Sequence, residues 1–330
     1  MQPPADIKFD QHSHTEHTEE FVELELRPVA GLKITPGFKH VDFNRRIMAD
    51  YNQTTRFRQA LSRTYTANLP FLTVNFAVNE RLAVYGQYAR GFLAPPLSQL
   101  YVANPIFSSA VPERSTNYQA GVVYHGSSLS IDADVYKIDF TNKFATDPTA
   151  PASEGTVFIN QGAVQYKGVE GQITYALPNG LAVFANGSRN YAKTDNPGAP
   201  KLQVANAPEW TAAGGVLYKN GPISFSVIDK YVGRQWFADP TTATTALGLA
   251  TYNLYRSKGY NTAVLSAKYE IGSARIGIEV NNLFDSRPFT NIKQAKGTPF
   301  ADIGRATTSN FDQYFYQTGR SFTGDITVSF

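Results

Sequence analysis

Ser321-Phe322-Thr323-Gly324-Asp325-Ile326-Thr327-Val328-Ser329-Phe330, the last stretch of the sequence, alternates without a break. Phe322, Gly324, Ile326, Val328 and Phe330 fall on one side of an extended strand; Thr323, Asp325, Thr327 and Ser329 fall on the other. Successive side chains of a β-strand point to opposite faces, so this period of two is the mark of a strand with one apolar and one polar face. The segments upstream repeat it. Ala274, Ile276, Ile278 and Val280 oppose Arg275, Glu279 and Asn281, and Ala263, Leu265, Ala267, Tyr269 and Ile271 oppose Ser266, Lys268 and Glu270. Leu129, Ile131, Ala133 and Val135 oppose Ser130, Asp132 and Asp134, and Leu72, Val74 and Phe76 alternate with Thr73 and Asn75. Roughly thirteen such segments follow one another, each near the 9–11 residues that a tilted membrane strand needs.

Composition agrees. Of 330 residues, 42% are apolar and only 17% charged, with 19 Tyr and 22 Phe, against roughly 25% charged residues in soluble domains. No apolar run approaches the roughly 18 residues of a membrane helix, which leaves strands, whose alternation averages to a polar mean. The absence of cysteine excludes disulfide scaffolds and Cys-ligated metals. A net charge of +3 is too small to point to nucleic acid. Met1-Gln2-Pro3-Pro4-Ala5-Asp6 has neither a basic nor an apolar region, so no signal peptide is expected there. No nucleophile elbow, dinucleotide fingerprint or P-loop is present, and no enzyme is expected.

The connections sort by length. Tight turns are expected near 28–31, 79–80, 125–128, 178–180, 219–222 and 272–273. Between them fall long loops, near 45–69, 92–114, 145–162, 193–207, 235–258 and 284–319. Strict alternation of short and long is what a bacterial outer-membrane barrel requires, with short periplasmic turns and long extracellular loops. A soluble β-sandwich has no reason to sort loops by parity, and loops above about 15 residues are uncommon in compact domains.

Six segments then carry a resemblance. They are Tyr85-Gly86-Gln87-Tyr88-Ala89-Arg90-Gly91-Phe92 with Pro95-Pro96, Pro112-Glu113-Arg114-Ser115-Thr116-Asn117-Tyr118-Gln119-Ala120-Gly121, and Asn160-Gln161-Gly162 with Tyr166-Lys167-Gly168-Val169-Glu170. Asn206-Ala207-Pro208-Glu209-Trp210-Thr211, Val280-Asn281-Asn282-Leu283-Phe284-Asp285 and Gly319-Arg320-Ser321-Phe322 complete the set. In this order they resemble the C-terminal strands of TonB-dependent outer-membrane receptors of the siderophore type. Gln119 stands where the family usually has Glu, and Trp210 where it has His.

The resemblance implies an all-β fold, an antiparallel transmembrane β-barrel. The chain supplies about thirteen C-terminal strands of a barrel of about 22, with the family's plug domain and TonB box absent. Residues 1–19 are expected as an extracellular loop or disordered tract, and 20–330 as the C-terminal portion of the barrel. An odd number of antiparallel strands would bring first and last together in parallel, and open edges in lipid are costly. The chain is therefore read as a truncated barrel, able to bind but not to transport. The implied function is TonB-dependent uptake of a scarce ligand across the Gram-negative outer membrane, with a ferric siderophore as the transported ligand and no resident cofactor. Implied partners are outer-membrane lipid and lipopolysaccharide, TonB through the plug, and the barrel-assembly machinery through the C-terminal strand, where Phe322 and Phe330 would be the signal. A passive porin-like channel, a soluble β-rich binding protein, and receptors for cobalamin, haem, metal chelates or saccharides are the alternatives.

Two clusters are candidate binding sites. Arg45, Arg46, Arg56, Arg58 and Arg63, with Tyr65, occupy the expected loop 45–69. Guanidinium groups recognise anionic oxygens and aromatic faces stack on flat ligands, which suits a compact anionic chelate; lipopolysaccharide phosphate is the competing ligand. His12, His14 and His17, flanked by Asp10, Glu19 and Glu20, are the ligand-like tract for Zn, Cu or Ni; a solvated loop with incidental histidines is the other reading. Asp132, Asp134, Glu170, Lys268, Glu270 and Glu279 are expected on a wet inner wall.

Overall fold

The computed structural model describes residues 7–52, 57–97, 111–146, 158–160, 162–237, 253, 255–293 and 313–329. The strands are β1 (Asp10–Glu23), β2 (Leu32–Tyr51), β3 (Gln59–Ala77), β4 (Leu82–Leu93), β5 (Glu113–His125), β6 (Leu129–Thr141), β7 (Phe144–Thr146), β8 (Phe158–Asn160), β9 (Val164–Ala176), β10 (Leu181–Thr194), β11 (Trp210–Asn220), β12 (Ile223–Val232), β13 (Tyr260–Ile271), β14 (Ala274–Asn281), β15 (Phe289–Lys293), β16 (Gln313–Tyr316) and β17 (Ser321–Val328). One 13-stranded antiparallel sheet contains all but β7–β8 and β15–β16, which form two small hairpins of their own. Each strand of the large sheet pairs with its neighbour in sequence, so the topology is an up-and-down meander with β1 and β17 at the edges. This is the expected fold class and strand number. No helix among the described residues is long and apolar enough to cross a membrane.

From β3 onward connections alternate in length as expected: 78–81, 126–128, 177–180, 221–222 and 272–273 are short, and the two hairpins lie in long connections at the opposite end; the first two connections, 24–31 and 52–58, are of nearly equal length and break the pattern. Two boundaries differ from the sequence expectation. The tract 1–19, expected as loop, is strand from Asp10 onward. The expected loop 45–69 shrinks to residues 52–58, because β2 and β3 run 20 and 19 residues. Both exceed the roughly 11 residues needed in hydrocarbon, and in the upper half of β2 the apolar side chains Val41, Phe43, Ile47 and Ala49 lie on the inner face, against Asp42, Asn44 and Arg46 on the outer one. Backbone pairing joins β1 to β2 in unbroken register from Glu23 opposite Gly37 to Gln11 opposite Ala49. The β2–β3 register runs from Leu32 opposite Phe76 to Ala49 opposite Gln59.

Register assigns every side chain to a face. On one face lie Phe322, Ile326, Ile276 and Ile278, paired Val280 with Phe322 and Ile276 with Ile326. Phe322 and Ile326 are 68% and 74% exposed, an arrangement stable only against an apolar solvent. The opposite face carries Asp132, Asp134, Glu170, Lys268, Glu270 and Glu279, with Asp134 opposite Glu170 and Glu279 opposite Ser266. That is the inner wall of a barrel. Among the described residues the buried side chains form several small clusters rather than a single core. Small clusters such as Val41, Ala67 and Leu69 with Phe92, and Ile47 and Ala49 with Leu97, sit on the inner face toward the long-connection end.

Candidate functional site

The inner face of β1–β3 near the long-connection end is built from two adjacent rows. One row is His17, Phe43 and Tyr65, set side by side by the register. The next is Thr15, Arg45 and Arg63. The His17 and Phe43 rings are 5.3 Å apart, and the Arg45 guanidinium lies over Phe43, 4.6 Å from its centroid. A stretch after β4 folds across this face: its Pro95 carbonyl accepts a hydrogen bond from Arg45 Nη1, while the buried Arg45 Nε has no partner. Like charges directly opposite in a sheet repel, yet Arg45 faces Arg63 and, among the described residues, no carboxylate forms an ion pair with either. Glu19, opposite Val41 in the adjoining row, is taken by Lys39 Nζ at 2.8 Å and His17 Nε2 at 3.1 Å. The geometry offers two cations and two aromatic rings to an anionic, flat guest.

The remaining sequence candidates disperse. Arg46 falls on the outer face, where its Nε donates to Asn44 Oδ1 at 2.9 Å. Arg58 lies near the tip, 3.5 Å from Asp50. Arg56 and Phe330 lie outside the described residues. A strand splits the histidine tract by parity: His12 and His14, opposite Met48 and Arg46, are on the outer face, and His17 is on the inner one. The three imidazoles do not converge, and among the described residues no group of three or more metal-ligating side chains does.

The motif residues have a shared structural role. Asn282, 2% exposed and at φ 50°, donates to the carbonyls of Ser286 (2.7 Å) and Thr318 (2.8 Å) and accepts from the Ser286 amide (3.0 Å). Asp285 accepts from the Arg320 amide at 2.8 Å, which, with the Arg287 guanidinium, holds its carboxyl below the usual aspartate range. Asn160 ties β5 to β6 by donating to the Val111 and Asn142 carbonyls at 3.0 and 2.6 Å. Glu113 Oε2 accepts from the Phe144 amide at 2.9 Å. These residues staple strand ends together at the long-connection rim.

Further down, two motif glycines admit tyrosine rings. A Cβ on Gly121 would lie 2.5 Å from Tyr85 Oη, and one on Gly168 would lie 2.7 Å from Tyr136 Oη. The rings lie across the neighbouring strands, and their hydroxyls donate to Asp134 Oδ2 (3.2 Å) and Asn190 Oδ1 (3.1 Å). Asp132, Asp134 and Glu170 line a polar hollow in this wall with Gln172, Asn186 and Ser188.

Known proteins share this architecture. The family model described as TonB dependent receptor-like, beta-barrel matches residues 2–283. No curated protein sequence matches. The ferric citrate transporter FecA in its unliganded form superposes with a TM-score of 0.74 at 18% identity, over 95% of this chain and 45% of that one. The ferric yersiniabactin uptake receptor FyuA from Yersinia pestis gives 0.70 at 18% identity, over 96% and 45%. The copper transporter OprC gives 0.71 at 17% identity, over 96% and 49%. At such identities the likeness is one of fold, and this chain spans less than half the length of each. With the family model covering most of its length, the chain belongs to the β-barrel family of TonB-dependent receptors.

Proposed function

We propose that this chain is the wall of an outer-membrane receptor that takes up an anionic iron chelate of the ferric siderophore class, energised through TonB. The observation that carries the reading is the Arg45–Arg63 pair on the inner face, opposite each other beside Phe43 and Tyr65 and, among the described residues, without an ion-paired carboxylate. An anionic guest would relieve their repulsion and stack on the rings. Membership of the family supports the outer-membrane setting and the TonB coupling, and FecA and FyuA, by name, handle ferric chelates. The chain spans under half of those proteins, so coupling and transport are part of the proposal for the receptor as a whole.

The test is binding of ferric citrate, a ferric catecholate and copper(II) to the full-length receptor in detergent, with R45A/R63A beside the native protein. The double variant should bind at least one ferric chelate tenfold or more weakly. Native-like binding of both chelates by the variant overturns the site. Tight binding of copper(II) alone moves the ligand class to metal ions.

A further inference from the structure

The outer face carries a second basic group, away from the inner-wall site. Lys137, Lys167, Arg189 and Lys193 share that face with Tyr191 and Trp210: Lys137 is opposite Lys167, Lys167 opposite Tyr191, and Arg189 opposite Trp210. The cations are seated on rings. Lys167 Nζ and Lys193 Nζ lie 4.7 and 4.8 Å from the Tyr191 centroid, and the Arg189 guanidinium 5.1 Å from that of Trp210. Lys137, Lys167, Arg189 and Tyr191 line one cleft together with Val169.

The level of this row is fixed by what lies below it. Down β6 from Lys137 the same face shows Val135, Ala133, Ile131 and Leu129; down β10 from Arg189 it shows Gly187, Ala185, Val183 and Leu181. A tilted strand crosses hydrocarbon in about 9–11 residues, so the cations begin where the apolar band ends on the long-connection side. At that depth the neighbours are lipid headgroups, and aromatic rings are the usual residents. The nearby carboxylates are engaged: Asp139 with Lys137 at 2.8 Å and Asp195 with Lys201 at 2.5 Å. Among the described residues, no carboxylate forms an ion pair with Lys167, Arg189 or Lys193.

We propose that this row binds the phosphorylated headgroup of an outer-leaflet glycolipid, with Lys167, Arg189 and Lys193 on the phosphates and Tyr191 and Trp210 at the sugar–acyl boundary. Ammonium and guanidinium groups complement phosphate oxygens, and a site partly shielded by rings and acyl chains is screened less than one in open water. The inference rests on the outer-membrane placement proposed above, and not on the inner-wall ligand.

The test uses the full-length receptor extracted from outer membranes and placed in neutral phosphatidylcholine bicelles. It is titrated separately with lipid A, with lipid A stripped of phosphate, and with inorganic pyrophosphate, following tryptophan fluorescence. Lipid A should bind at least tenfold more tightly than the stripped lipid. K167Q/R189Q/K193Q, still heat-modifiable on gels and so folded, should lose that preference, while K167R/R189K/K193R keeps it. Equal binding of stripped lipid, undiminished preference in the neutral variant, or pyrophosphate bound as tightly as lipid A overturns the site. A receptor found outside the outer-membrane fraction fails the placement itself, whatever the lipid results.

Discussion

The side-chain amide of Asn282 donates to the carbonyl of Thr318 at 2.8 Å, across 36 residues of sequence. One buried side chain thereby fixes where the chain leaves β14 and where it enters β17. Removing it takes the side-chain donor from two rim carbonyls, each bond worth about 0.5–1.5 kcal/mol, and places Ala at a φ of 50° that Asn tolerates better. Asn282→Ala should therefore lower the temperature at which the folded gel band is lost, and Asn282→Asp, which keeps only the acceptor, should fall between. A native-like melting temperature for the Ala variant would refute the staple.

Acid should undo the neighbouring tie. Asp285 is depressed below the ordinary aspartate value of 3.8, first by the Arg320 amide and then by Arg287. A carboxylate whose folded pKa is lowered stabilises above its unfolded value and loses that contribution as pH falls through the folded one. Hydrogen exchange of the peptide holding Gly319 and Arg320 should stay slow, relative to its intrinsic rate, at neutral pH and rise only below about 3.8. Asp285→Asn should show the faster exchange already at pH 7, and identical exchange in both proteins would count against the tie.

Tyr85 and Gly121 should behave as a coupled pair. Gly121→Ala puts a methyl group into the Tyr85 ring and should destabilise by about 1–3 kcal/mol through overpacking. With Tyr85 already changed to Ala, the same substitution meets open space and should cost far less. The double-mutant cycle measures this, and additive effects would mean that ring and glycine are independent.

The two arginines of the inner wall should trade stability for binding. Arg63→Gln removes a like-charge pair worth about 0.2–1 kcal/mol of repulsion. Without ligand, its melting temperature should equal or exceed that of the native protein, while chelate binding weakens. A drop in stability at unchanged binding would make Arg63 a structural residue.

Period-two alternation made the lipid-crossing parts legible, since every outer-face residue from Leu129 to Val135 or Ala274 to Val280 must be apolar. It is weaker above the membrane, where the outer faces of β1 and β2 meet water, the stretch after β4 covers part of the inner face of β2, and His12 or Arg45 satisfies a strand as well as a loop does. Carrying the parity upward from Leu32 would have separated Arg45 from Arg46, and His17 from His12 and His14. The contribution of Phe43, which touches both His17 and Arg45, depends on strand register, and no single segment encodes that. The rim motifs were visible as patterns, but Asn282 and Asp285 acquire their meaning only from Thr318 and Arg320, a whole connection away.

The odd strand number has a consequence for self-assembly. In a meander of thirteen, β1 and β17 run in the same direction. Two copies inserted the same way in a membrane could join β17 of one to β1 of the next only in parallel, a slightly weaker pattern than the antiparallel ladder used everywhere else in the sheet. The sheet is in this sense self-avoiding. Among the described residues, parity alone therefore decides that the antiparallel ladder, continuous through the sheet, does not extend from one copy to the next.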